Sequence, residues 1–191
     1  MAQHGTPGTS AAADDAVALL MRQHVTIRGL FDEVETTTGA ARRTAFERLV
    51  RLLAVHETAE EEVVHPYARR AVEDGEKVVS ERLEEEKEAK ELLSRLDGMD
   101  TDAPGFLREL AVLRREVLAH ADAEERYEFP RVRQVASPQQ MTGMAKAVKA
   151  AEAMAPTHPH PGVESGAKNV ALGPLAAVVD RARDAVRGAL R

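Results

Sequence analysis

The chain of 191 residues has no cysteine and no tryptophan, and only two tyrosines and four phenylalanines. Without cysteine, disulfides, zinc–thiolate sites, iron–sulfur clusters and covalent c-type haem attachment are excluded, so any metal must be held by nitrogen and oxygen. Long apolar runs are also missing. The stretch Ala16 to Met21 follows two aspartates and is too short for a signal peptide or a membrane span, so the expected address is the cytoplasm. Nor is there an excess of basic residues: 32 acidic against 26 basic side chains leave a net charge of −6, which argues against nucleic acid and anionic membrane as partners. No protein partner is identifiable from the sequence. What is present, 43% hydrophobic and 30% charged residues with 3% aromatic, suits a helical bundle packed with Leu, Val and Ala.

Residues 1–13 are small and polar and are predicted to be disordered, which makes His4 a bystander. Order is expected from Asp14 and Asp15, acidic residues suited to a helix N-terminus. A first helix runs to about Thr38, with Gly39 as its stop and an inner stripe of Leu20, His24, Ile27, Phe31 and Val34. A second starts near Ala40 and runs toward Gly75, bent or interrupted at Pro66. The third, Glu76 to Asp97, has a narrow apolar seam of Val79, Leu83, Leu93 and Leu96 that Glu86 interrupts, and Gly98 closes it. Pro104 is expected in the first turn of a fourth. Four amphipathic helices with short connections across residues 14–136 predict an all-α, up-down-up-down four-helix bundle. Additional C-terminal helices follow: a fifth over 137–154, opened by Ser137 and Pro138, a Pro/Gly-rich linker over 155–171, and an amphipathic helix over 172–191.

An internal repeat organises the bundle. Residues 56–66, HETAEEEVVHP, return in outline 64 residues later as HADAEERYEFP, residues 120–130. In both, a histidine is followed four residues on by a glutamate and ten residues on by a proline. Positions 46, 49, 53, 56, 60, 63 and 67 step by three and four, as do 110, 113, 117, 120, 124 and 127, so each His and Glu falls on the inward stripe of its helix.

The ionisable residues that interrupt inner stripes are His24, His56, Glu60, Glu86, His120 and Glu124, at least one from each bundle helix. Burying an unpaired charge costs several kcal/mol, and a pair of cations would satisfy six such groups more completely than scattered ion pairs. Two carboxylates able to bridge, with nitrogen ligands at either end, form the donor set of a dinuclear site in a bundle. Glu57, Glu61, Glu62 and Glu125 are expected to be solvated or to support ligands from behind. His65, nine residues after His56, points roughly opposite in α-helical phase and is read as structural. His158 and His160 fall in the linker and are read as a surface loop. Tyr127, three residues after Glu124, is expected above the cluster. There it is a supporting donor, an oxidation site, a direct oxygen ligand, or an ordinary core aromatic aligned with Val63.

These residues carry a resemblance. A His on the first helix, H-x-x-x-E on the second and H-x-x-x-E on the fourth, with Pro ending both paired motifs, resemble the hemerythrin-like (HHE cation-binding) family over residues 14–136. The resemblance implies a four-helix bundle with two non-haem iron ions, oxo- or hydroxo-bridged. Glu60 and Glu124 would bridge, His24 and His56 would be terminal on one iron, and His120 would sit on the other. The family's third-helix His falls within EEEKEAKELL, where this chain has Glu86. An added anionic oxygen ligand stabilises the ferric state and lowers the reduction potential. That shifts the expected function from reversible oxygen carriage toward peroxide handling, ferroxidase-like oxidation or a resting diferric store, so that a protein binding O2 or peroxide with catalase-like oxidative-defence activity is expected, and it makes manganese a second candidate metal. Sensing of iron, O2 or nitric oxide without turnover, and iron storage, are the alternatives.

Overall fold

The computed structural model describes residues 15–160, all helix and connecting turns. The expected disordered stretch 1–13, the linker beyond 160 and the helix expected over 172–191 lie outside the described residues. Helix α1 is Ala16–Thr36. Helix α2 runs Gly39–Ala59, passes through a π turn at Glu60–Val64 and continues as His65–Ala71. Helix α3 is Gly75–Asp97. Helix α4 repeats the pattern of α2, with Phe106–Ala123, a π turn at Glu124–Glu128 and Phe129–Val135. Helix α5 is Pro138–Met154. The pairs α1–α2, α2–α3, α3–α4 and α1–α4 all pack together, closing an up-down-up-down bundle, and α5 lies against α1 and α2. No helix among the described residues is long and apolar enough to cross a membrane.

Local chemistry sets the helix ends. Asp15 Oδ1 accepts the Val17 and Ala18 N–H groups at 2.9 and 3.4 Å and so caps α1. Ser137 and Gln140 form a reciprocal capping box at the start of α5, with Pro138 in the first turn. Two glycines act differently from expectation. Gly39 opens α2 with φ +58° rather than ending α1, which stops at Thr36. Gly105, with φ +100°, precedes Phe106 at the start of α4, so Pro104 stands in the connecting turn rather than inside the helix.

The inner stripe of α1 is buried as the periodicity predicts, and so are Phe46, Leu49, Leu53, His56 and Glu60 of α2. Beyond Glu60 the pattern slips by one residue. Val64 and Ala68 are buried, where 63 and 67 were expected. The cause is the π turn, in which the His65 N–H reaches back to the Glu60 carbonyl, five residues away. Such a turn holds one residue more than an α turn, so every later side chain is set back by about 100°. Pro66 follows immediately; lacking an N–H and clashing with the carbonyl four residues back, it cannot continue a regular α ladder. The chain responds with a wider turn. At the second copy the Phe129 N–H reaches the Glu124 carbonyl in the same way, just before Pro130.

The apolar core is in two parts. One contains Phe31, Phe46, Leu49, Leu53, Leu93, Leu96, Phe106, Leu110 and Leu113, with Phe46 and Phe106 edge to face at 5.1 Å. The other joins Val17, Leu20, Val64, Val79, Phe129 and Val132 to Met141, Met144 and Val148 of α5. Each buried side chain of this size contributes about 1.5–3 kcal/mol. That burial offsets the cost of the polar layer between the two clusters. Past α5, His158 is buried rather than on a surface loop, its Nδ1 3.0 Å from Asp97 Oδ2 at the end of α3.

Candidate metal centre

The polar layer contains His24, His56, Glu60, Glu86, His120 and Glu124, all buried and drawn from all four bundle helices. One ligand atom from each of His24, His56, Glu60 and Glu124 lies within 4.8 Å of the others, and Glu60 also belongs to a second such group with Glu86 and His120. Glu124 Oε2 is 3.3 Å from His24 Nε2 and 3.5 Å from His120 Nε2, between the two nitrogen positions. The six residues named from the sequence therefore converge on one place.

The histidines are held from behind. His24 Nδ1 is 2.8 Å from Glu125 Oε1, itself bound by Arg28 at 3.1 Å. His56 Nδ1 is 2.7 Å from Gln23 Oε1, and His120 Nδ1 is 2.9 Å from Glu85 Oε2. Each outer nitrogen thus faces an acceptor and must carry the hydrogen, which turns Nε2 toward the layer. His24 also stacks on Phe129 at 5.8 Å.

This arrangement is costly without a cation. The Nε2 atoms of His24 and His56 face each other at 3.0 Å, where a single proton could serve only one of them. Both oxygens of Glu60, both of Glu124, Glu86 Oε2 and His120 Nε2 are buried without a hydrogen-bond partner. Burial, with His24 next in effect, pushes His56 down to about 3, so it stays neutral with a free lone pair. Burial and then the neighbouring Glu124 push the Glu60 carboxyl well above its usual range. For His120, burial opposes the charged form but Glu124 and Glu85 outweigh it and raise the ring to about 9, a positive charge that a metal ion would replace.

Two features differ from the sequence reading. Tyr127 is 60% exposed, on the outside of α4, and the π turn puts Glu128 (1% exposed) inward in its place. Its phenol therefore does not sit above the cluster. His65 does not point away: its Nε2 is 2.5 Å from Glu86 Oε1 and its Nδ1 is 3.1 Å from Glu128 Oε1. With both nitrogens donating to carboxylates the ring is an imidazolium, and although burial disfavours that charge, Glu86 and Glu128 outweigh it and hold the ring well above its ordinary value. His65 thereby occupies one oxygen of Glu86 and leaves Oε2 free in the layer. Of the two roles expected for Glu57 and Glu61, solvation does not hold, since both are buried; Lys90 donates to Glu61, and burial pushes the Glu57 carboxyl up to about 7. Glu125, as expected, supports His24 from behind.

Above the layer is a narrow cavity of about 10 Å³, room for a single water-sized molecule. Its walls include Ile27, Leu53, Val117 and Leu118, and its polar side includes His24, His56, Glu57, Glu86 and His120. Apolar walls over a set of nitrogen and oxygen donors, in so small a space, suit a ligand no larger than a diatomic.

A bundle with His and Glu donors converging from four helices defines a cation-binding helical protein. The chain belongs to the hemerythrin family, as its residues 15–132 match the model of the hemerythrin HHE cation-binding domain. An uncharacterized hemerythrin-like protein of Schizosaccharomyces pombe is 28% identical over 134 residues, covering 69% of this chain and 66% of the relative, so the chain spans slightly under two thirds of that protein. The crystal structure of a hemerythrin HHE cation-binding domain-containing protein from Mycobacterium kansasii superposes with a TM-score of 0.64. It covers 73% of this chain and 85% of the other at 22% identity, a likeness of fold.

Proposed function

We propose that the protein is a non-haem di-iron protein that binds O2 or peroxide in the cavity above the polar layer and decomposes peroxide in oxidative defence. The observation that carries the reading is the pair of Nε2 atoms of His24 and His56 facing each other at 3.0 Å beside the unpartnered oxygens of Glu60 and Glu124. The residues present fit two cations. His24, His56, Glu60 and Glu124 would hold one, and Glu60, Glu86 and His120 the other, with Glu124 Oε2 3.5 Å from His120 Nε2. Iron in such a site supplies reversible one-electron steps and a Lewis acid for a bound oxygen species.

The chain's own residues do the rest. Glu125, Gln23 and Glu85 fix the rings of His24, His56 and His120, so the layer is organised before anything binds. Ile27, Leu53 and Val117 keep bulk water from the cavity, and Glu57 Oε2, buried without a partner beside it, is placed to hold a proton near the ligand. Glu86 adds a negative oxygen donor where a neutral imidazole would favour the reduced state, which directs the centre toward peroxide chemistry.

Metal analysis and the visible spectrum of the purified protein, before and after peroxide, test the reading. About two irons per chain and prompt oxygen evolution are expected. Two irons with a spectral change and no oxygen would favour ligand binding or sensing, and a folded protein that refuses iron would overturn the proposal.

A further inference from the structure

Helix α5 lies outside the residues matched to the family, yet it reaches the candidate centre. Gln23 on α1 donates from Nε2 to Glu152 Oε1 on α5 at 2.6 Å, and its Oε1 lies 2.7 Å from His56 Nδ1. His56 is thereby distinguished from its partners. His24 and His120 lean on the carboxylates of Glu125 and Glu85, which can only accept. His56 leans on an amide, which accepts at one end and donates at the other. Which end faces the ring is decided by what lies on the far side of the amide.

Glu152 decides it. A carboxylate accepts only, so the end of Gln23 facing it must be the NH2, and the carbonyl oxygen is left for His56. His56 Nδ1 must then carry the hydrogen, and Nε2 keeps its lone pair toward His24 and Glu60. Were the amide turned over, its NH2 would face Nδ1, the ring proton would move to Nε2, and the nitrogen pointing into the layer could no longer ligate. Helix α5 is firmly placed to make the choice, with its capping box at Ser137 and with Met144, Val148 and Ala151 packed into the core.

We propose that Glu152 is a positioning residue for the metal centre: through Gln23 it fixes the tautomer of His56, so the fifth helix governs how firmly the cation beside His56 is held. The part concerning cation retention rests on the di-iron reading; the part concerning the tautomer does not. The test uses the full chain and the variants E152A, E152Q and the exchanged pair Q23E/E152Q. Nitrogen-15 NMR of the metal-free proteins reports which ring nitrogen of His56 is protonated, and ferrous iron loaded anaerobically, then released to a chelator, reports retention. In E152A the Nε2-protonated form is expected to appear and release of one iron to quicken about 10-fold, at the low end for loss of a ligand's supporting group. E152Q presents an amide that can donate as well as accept, so the orientation of Gln23 is no longer dictated, and both tautomers are expected with release between wild type and E152A. In the exchanged pair residue 23 is a carboxylate that can only accept from His56 Nδ1–H, so the wild-type tautomer and release within about twofold of wild type are expected. Wild-type tautomer and release rate in E152A would overturn the proposal and leave the metal centre standing. A shifted tautomer in E152A, with neither wild type nor any variant taking up iron, would overturn the di-iron reading and leave the tether from Glu152 to His56 intact.

Discussion

Replacing Glu60 with methionine should stabilise the metal-free protein while destroying its capacity to bind metal. Glu60 is fully buried, neither of its oxygens has a hydrogen-bond partner, and Glu124 lies in the same cluster. Folding without metal must therefore either protonate this carboxyl, already pushed well above its usual range, or carry a second charge beside Glu124. An unsatisfied buried polar group costs about 1–3 kcal/mol, and exchanging a buried ionic group for an apolar side chain of similar volume commonly gains about 1–4 kcal/mol. Methionine has a similar reach and adapts to irregular space. A gain of about 2 kcal/mol is expected, which for a chain of this length raises Tm by about 4–8 °C. Differential scanning calorimetry of wild type and Glu60→Met, both stripped with chelator, measures it. Added iron should then raise the wild-type Tm and leave the variant unchanged. If the stripped variant melts at or below the stripped wild type, Glu60 makes structural bonds that the geometry does not reveal, and the assignment of its oxygens to a cation loses its basis.

Tyr127→Phe should leave iron content and the visible spectrum unchanged, because the phenol is on the outer face; loss of a low-energy charge-transfer band would contradict its placement. His65→Ala leaves Glu86 and Glu128 buried without their shared donor and should cost about 3–5 kcal/mol, read from the urea midpoint. A loss under about 1 kcal/mol would mean that the imidazolium is not held as described. In Gly75→Ala the new Cβ would lie 2.3 Å from the Ala68 carbonyl oxygen, a backbone atom that cannot swing aside. About 1–3 kcal/mol of destabilisation is expected in thermal melts, with iron stoichiometry unchanged.

The first half of each paired motif was legible in the sequence because the α-helical period holds there. Phe46 to Glu60 and Leu110 to Glu124 keep strict phase, and their polar members stand out against an otherwise apolar stripe. Legibility stopped where the period changed. Tyr127 was assigned inward and His65 outward by counting in α-helical steps through what are π turns, and both assignments are wrong by one residue of phase. A signal was present: Pro66 and Pro130 each lie six residues past an inward glutamate, and proline forbids an unbroken α ladder there. Proline says that the helix must yield, but not whether it bends, breaks or widens. Gln23 and Glu152 were invisible for another reason, since their contact joins two helices 129 residues apart and neither residue interrupts an apolar stripe.

The wide turns change which side chains a helix delivers to its inner face. A regular α helix crossing a thin layer offers about one inward residue per turn of 5.4 Å. Here the wider turn lets α2 add His65 to the buried residues that follow His56 and Glu60, and lets α4 add Glu128 after His120 and Glu124. The added pair, His65 and Glu128, touch each other, and His65 touches the donor Glu86. The protein thus has a dial for the charge around its centre that is separate from the six donors themselves. Substitutions confined to that pair could retune the affinity and potential of the site while every residue of the H-x-x-x-E signature stays in place.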